Sequence, residues 1–145
     1  MEVLFAYAYL WAFGFCSGQE YNVHLDEMFL NTPDDEVLLE LEECWSNYKE
    51  TFAKLKRYFE YEANSFDSLK FGKILFNGLE AAYKSDVYNM DEFGSRCYEL
   101  YKMLPGFLEQ EQPFWRLSYA DDPLSWGDEE QSRILYEEAF SFYKE

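Results

Sequence analysis

Between Tyr119 and Gln131 the chain reads YADDPLSWGDEEQ, placing five carboxylates, a Pro, a Gly and a Trp within thirteen positions. Two chemistries suit such a stretch: holding a hard cation through oxygens, or meeting a basic protein through charge and an aromatic anchor. A calcium loop needs oxygens at alternating positions around a central glycine, with a distal glutamate. The stretch has the oxygens but lacks that spacing. Asp128 and Gln131 stand three apart, as in a capping box, and Glu129 and Glu130 fall in the first turn of the helix that such a box would start. Capping therefore accounts for Asp128, Glu129 and Glu130, and leaves Asp121-Asp122 beside Trp126 unexplained. We take Asp121, Asp122, Trp126, Asp128, Glu129 and Glu130 as the first candidate partner surface. The acids Glu40, Glu42 and Glu43 form the second.

Other chemistries find little support. His24 is the only histidine, so HExxH zinc sites and the paired ExxH motifs of di-iron bundles are excluded, and a Ser-His or Cys-His dyad could use only this residue. The three cysteines, Cys16, Cys44 and Cys97, are widely spaced and set among apolar neighbours. They read as reduced, buried thiols without a CxxC pair or a base on their own helical face. Neither GxGxxG nor GxxxxGK[ST] occurs, which removes the usual phosphate cradles. A glycosidase-like pair needs one carboxylate in an apolar setting, for which Glu80 and Glu99 qualify only by chance in so acidic a chain. We expect no catalytic residue, no cofactor and no metal.

Charge narrows the partner. The net charge is −17, with 29 acids against 12 bases. Residues 1–48 carry −10, residues 49–84 carry +2 and residues 85–145 carry −9. Nucleic-acid binding needs a basic footprint to neutralise phosphates, and anionic membranes repel this field. A basic protein partner would be steered towards it. Lys54, Lys56 and Arg57 cluster where they complement a helix C-terminus.

The elements that position these groups follow from apolar spacing. Thr32-Pro33-Asp34-Asp35-Glu36 has the makings of a helix start, with Thr32 and Asp35 at capping-box spacing. Leu38, Leu41, Trp45, Tyr48, Phe52, Leu55 and Phe59 then alternate steps of three and four, predicting one amphipathic spine helix over about residues 33–62. A second stripe, Val37, Cys44 and Tyr58, gives this spine another apolar side. Asn89 and Glu92 box a helix carrying Met90, Phe93, Cys97, Leu100 and Leu104 until Pro105-Gly106. The C-terminal helix would turn Leu135, Ala139 and Phe142 inward. Residues from Ser68 to Ser85 read as a further helix through Leu69, Leu75, Leu79 and Ala82, despite Asn77-Gly78. YNVHLD and FWRLSY could alternate as strands but have no partner, and are read as irregular or helical.

The run VLFAYAYLWAFGFC is shorter than the roughly 20 residues a spanning helix requires. Glu2 and the absence of any base before Lys49 do not suit a signal peptide. It reads as a buried core helix, with a cytoplasmic location following. Aromatic residues are 21% of the chain, so rings must pack on rings. The expectation is an all-α, single-domain bundle (residues 1–145) of five or six helices around the spine.

In general character, as a small, strongly acidic, aromatic-rich helical chain, the sequence is similar to bacterial immunity proteins. The likeness is one of composition. It implies an inhibitor that neutralises a basic partner such as a nuclease toxin, without enzymatic activity of its own. The rival reading is a scaffolding helical protein that uses its spine to form a homodimer. A small-ligand carrier or carboxylate-based enzyme comes third.

Overall fold

The computed structural model describes residues 1–61 and 65–144, and over these the chain is all-helical with no strand. Seven α-helices occur among the described residues: α1 (Glu2–Ala12), α2 (Gln19–Asn31), α3 (Glu36–Glu43), α4 (Tyr48–Tyr61), α5 (Ser68–Lys84), α6 (Met90–Lys102) and α7 (Glu129–Ser141). Short 3-10 segments at Gly106–Leu108, Phe114–Ser118 and Asp122–Trp126 join α6 to α7. YNVHLD lies within α2, and FWRLSY falls largely in the second 3-10 segment. The chain divides into two compact units, Met1–Phe71 and Gly72–Glu145.

In the first unit, α1 is apolar all round and accordingly buried, with Leu4, Phe5, Ala6, Ala8, Tyr9 and Leu10 inside. It packs on α2 and α4, and α2 packs on α3. Phe5 is the hub of a ring cluster. It stacks on Phe59 at 4.7 Å and lies 5.5 Å from Phe71, while Tyr9 meets Phe52 edge-on at 4.7 Å. Among the described residues no helix is long and apolar enough to cross a membrane.

The expected spine is two helices. Cys44 caps α3, a turn through Asn47 follows, and α4 starts at Tyr48. The break has a local cause: Asn47 Oδ1 accepts from the backbone N–H of Glu50 at 3.2 Å, a cap that opens a new helix. The turn is closed by Thr51, wholly buried, whose hydroxyl donates to the Cys44 carbonyl at 3.0 Å. Trp45 and Tyr48, expected in the apolar face, are thereby turned outward and exposed, whereas Leu38, Leu41, Leu55 and Phe59 do face the core. The expected end at residue 62 lies outside the described residues.

The start of α3 also differs from expectation. Asp35, not Thr32, is the cap: its Oδ1 accepts from the N–H groups of Val37 and Leu38 at 2.9 and 3.2 Å. Thr32 looks backward, donating its hydroxyl to the Met28 carbonyl at the end of α2.

The second unit is built on α6, α7 and the 3-10 segments. The Asn89 cap forms as read from the sequence, with Glu92 N–H donating to Asn89 Oδ1 at 2.8 Å. Phe93 meets Tyr136 edge-on at 5.0 Å and Tyr83 at 5.5 Å. The inward face of α7 is Ser132, Tyr136, Ala139 and Phe140: Ala139 faces inward as expected, while Tyr136 and Phe140 take the places expected of Leu135 and Phe142. The larger rings decide that register, and Phe142 is left exposed. In α5, Phe71, Leu75, Phe76, Leu79 and Ala82 are buried, and Leu69 is exposed.

Candidate functional site

The stretch that opens α7 is a 3-10 turn followed by a capped helix. Pro123 is the buried residue of the Asp122–Trp126 turn, and Gly127 takes φ 82°, a left-handed conformation that glycine accepts freely. Asp128 Oδ1 then accepts from Gln131 N–H at 3.0 Å. Glu129 pairs with Arg133 at 3.1 Å. These two carboxylates serve the helix, as the spacing indicated. Trp126 is left outside, 67% exposed, among the acids Asp122, Asp128, Glu129 and Glu130, all exposed too.

Asp121 is different. It is half-buried, with Oδ1 wholly enclosed and no hydrogen-bond partner among the described residues. It approaches α6 at Gly94, where a Cβ would stand 2.9 Å from Asp121 Cβ and 3.3 Å from the Tyr136 hydroxyl oxygen. Burial, with Asp122 next to it, raises its pKa above the ordinary aspartate value. Asp121 and Ser125 line a shallow cleft of about 280 Å³ together with Asp91, Ser95, Tyr98 and Leu124. The first candidate surface thus separates into an exposed part around Trp126 and an inward-facing Asp121.

The second candidate surface lies in the first unit, at the C-terminal end of α3. Glu42 and Glu43 occupy the last turn with no basic residue there, although the helix dipole disfavours negative charge at that end. Glu40 is exposed one turn earlier, and its carbonyl accepts from Cys44 Sγ and from Lys54 Nζ, each at 3.5 Å. Glu42 shares a cleft with Asp26 of α2. Desolvation first, and the neighbouring Asp26 second, raise the pKa of Glu42. Asn22, Asp26, Glu42 and Trp45 together line a cleft of about 230 Å³. Trp45 is 54% exposed at its mouth. Asp26 and Asn22 were not singled out by the sequence; both belong to YNVHLD, whose helical state sets them four apart on one face of α2.

The remaining reactive groups are tied up. His24 stacks on Tyr7 at 4.7 Å, and its Nδ1 donates to the Glu20 carbonyl at 2.9 Å. Burial, then Glu20, pushes the Cys16 thiol up to about 11, and burial also raises that of Cys97, the opposite of nucleophile activation. Among the described residues, no three His, Cys, Asp or Glu side chains gather as a metal-ligand set. No family model matches the chain, and neither the curated proteins nor the solved structures compared with it gave a match.

Proposed function

We propose that this chain is an acidic protein-binding module of the inhibitor or immunity type, which neutralises a basic partner such as a nuclease toxin. The observation that carries the reading is an indole held in solvent among carboxylates. Trp126 is 67% exposed, and Trp is among the residue types that most often anchor an interface. The surrounding acids would supply Coulomb steering and register, and the anchor most of the affinity. An acidic face can also stand where a nuclease expects phosphates. The uneven charge of the sequence, −10 and −9 at its two ends, concentrates this field in the segments that carry the exposed tryptophans Trp45, Trp115 and Trp126.

The test starts from the full chain immobilised as bait at low salt, followed by association kinetics with each captured protein after purification. The expected partner is basic, and its on-rate falls steeply as NaCl rises from about 0.05 to about 0.5 M, where the screening length contracts to a few Å. A partner without excess positive charge, or an on-rate indifferent to salt, sinks the proposal. Size exclusion with light scattering separates it from the scaffolding reading, which requires a stable homodimer of the chain alone.

A further inference from the structure

We propose that Asp121 is a proton-operated fastening for the turn that carries Trp126: its neutral carboxyl seats the turn against α6 and α7, and its ionised carboxylate releases it. The device lies within the second unit and stands whatever the exposed face around Trp126 binds. Its seat is a glycine. A Cβ on Gly94 would meet Asp121 Cβ at 2.9 Å, Leu124 Cδ1 at 3.3 Å and the Tyr136 hydroxyl oxygen at 3.3 Å. A side chain on α6 at this point would lift the turn away, so the helix is bare backbone where Asp121 and Leu124 rest on it. The carboxyl is then enclosed. Asp121 Oδ1 is shut off from solvent and has no hydrogen-bond partner among the described residues. Tyr136, wholly buried, brings its hydroxyl to the same place beside Gly94, also without a partner among the described residues. Ser132, one turn back on the inward face of α7, repeats the pattern.

A carboxyl in such a seat has two unequal states. Enclosing the neutral acid costs far less than enclosing a carboxylate with no cation beside it. No cation is placed to compensate. Asp91 and Tyr98 of α6 face Asp121 across the cleft, and Cys97, wholly buried, lies one turn on from Gly94. Tyr136 faces it from α7, and Asp122 follows it in its own turn. The bases of the two helices are engaged elsewhere: Arg96 over the Tyr88 ring, Lys102 with Glu99, and Arg133 with Glu129 and Tyr83. Desolvation is accordingly the largest cause of a raised Asp121 pKa; its own backbone N–H opposes the rise and Asp122 adds to it. Asp121 also borders the shallow cleft shared with Ser95, so an ionised carboxylate reaches water by turning outward and giving up the Gly94 seat. Ala120 and Pro123 stay buried on either side of Asp121-Asp122. The release is therefore confined to Leu124, Ser125 and Trp126, ahead of the left-handed Gly127. A folded value above the ordinary one makes the fastening complete below the aspartate value of 3.8, and the fastening is lost as pH rises through the folded value.

The experiment labels the tryptophans of the full chain with ¹⁵N and follows the four indole N–H signals by NMR from about pH 4 to about pH 8. The Trp126 signal, assigned through Trp126→Phe, should move in one step whose midpoint lies above 3.8. The ratio of released to seated turn should change across that step by about tenfold for each pH unit by which the folded carboxyl stands above its ordinary value. Asp121→Asn, neutral and of the same shape, should abolish the step and hold the signal at its acid position. Asp122→Asn, at an exposed neighbour, should leave the step in place. A step that survives Asp121→Asn belongs to the exposed acids around Trp126 and overturns the proposal. Should Asp121→Asn fail to fold, ¹³C-labelled aspartate carboxyls in the unmutated chain decide the matter. An Asp121 carboxyl that titrates at or below 3.8, or one that titrates above it while the Trp126 indole stays still, overturns the proposal equally.

Discussion

Replacing Glu42 with Gln should make the protein more stable. The carboxylate it removes faces two unfavourable fields: the negative end of α3, where no base compensates, and the Asp26 carboxyl on α2. A misplaced charge at a helix terminus costs about 0.3–1 kcal/mol at low salt. A like-charge neighbour on a partly exposed surface adds about 0.2–0.5 kcal/mol. Together they give a gain of about 1 kcal/mol, which for a chain of this length corresponds to a rise of about 3 °C in Tm. The pH dependence follows from the raised pKa of Glu42. A carboxyl whose folded value lies above its unfolded value is worth most to the fold while protonated, and its contribution declines as pH rises through the folded value. The gain from Glu42→Gln should therefore be full at pH 7 and shrink towards zero near pH 4, just below the ordinary glutamate value of 4.5. Thermal unfolding by circular dichroism, at both pH values and at about 0.05 and about 0.5 M NaCl, measures each arm. A loss of stability at pH 7, or a gain that ignores both salt and pH, would refute the electrostatic argument.

Three further outcomes rest on other features of the fold. In Trp126→Ala only about a third of a side chain that buries up to about 250 Å² is withdrawn from the protein, so the cost should stay near 1–2 kcal/mol, against the 3–5 kcal/mol of a core Trp. A melt that drops by about 10 °C would make it a core residue instead. Asp35→Ala removes the oxygen that accepts both N–H bonds of the α3 cap and should cost about 1–2 kcal/mol in denaturant unfolding, while Thr32→Val, at the position the sequence favoured, should cost less. Burial raises the phenols of Tyr9, Tyr21 and Tyr136 above 10, and that of Tyr143 to about 12. Stability from these groups is fully present below pH 10 and is lost as pH rises further, so a titration at 295 nm should show them ionising late and together with unfolding. All thirteen tyrosines titrating in one step near pH 10 would contradict the burial.

What the sequence disclosed was whatever depends on near neighbours. The caps at Asn89 and Asp128 could be read because donor and acceptor are three residues apart, and the all-helical class because the apolar steps were so regular. That regularity also concealed the break after Cys44. The three–four rhythm runs unchanged through Trp45 and Tyr48, whereas the signal that ends it, Asn47 with Glu50 at N-cap and N3 spacing, is polar and easily passed over within an apolar count. The α7 face differs from its reading at two positions because Leu135 and Phe142 each lie within two residues of a ring, Tyr136 and Phe140, that could take the same place. Only the rings of Phe93 and Tyr83 decide between them. The least legible feature is the pairing of Asp26 with Glu42, since it exists only when α2 packs on α3. No local pattern relates a residue in an ambiguous stretch to one at a helix end.

The hydroxyl of Thr51 ties the corner between α3 and α4, and Trp45 sits on that corner. Ordering a loose backbone residue costs about 1–2 kcal/mol, and fixing a rotamer-rich side chain about 0.5–1.5 kcal/mol more. In this chain the backbone part of that cost is met during folding, not at encounter, because the turn is already closed from inside. The placing of an exposed indole is in this way set partly by a buried hydroxyl beneath the turn.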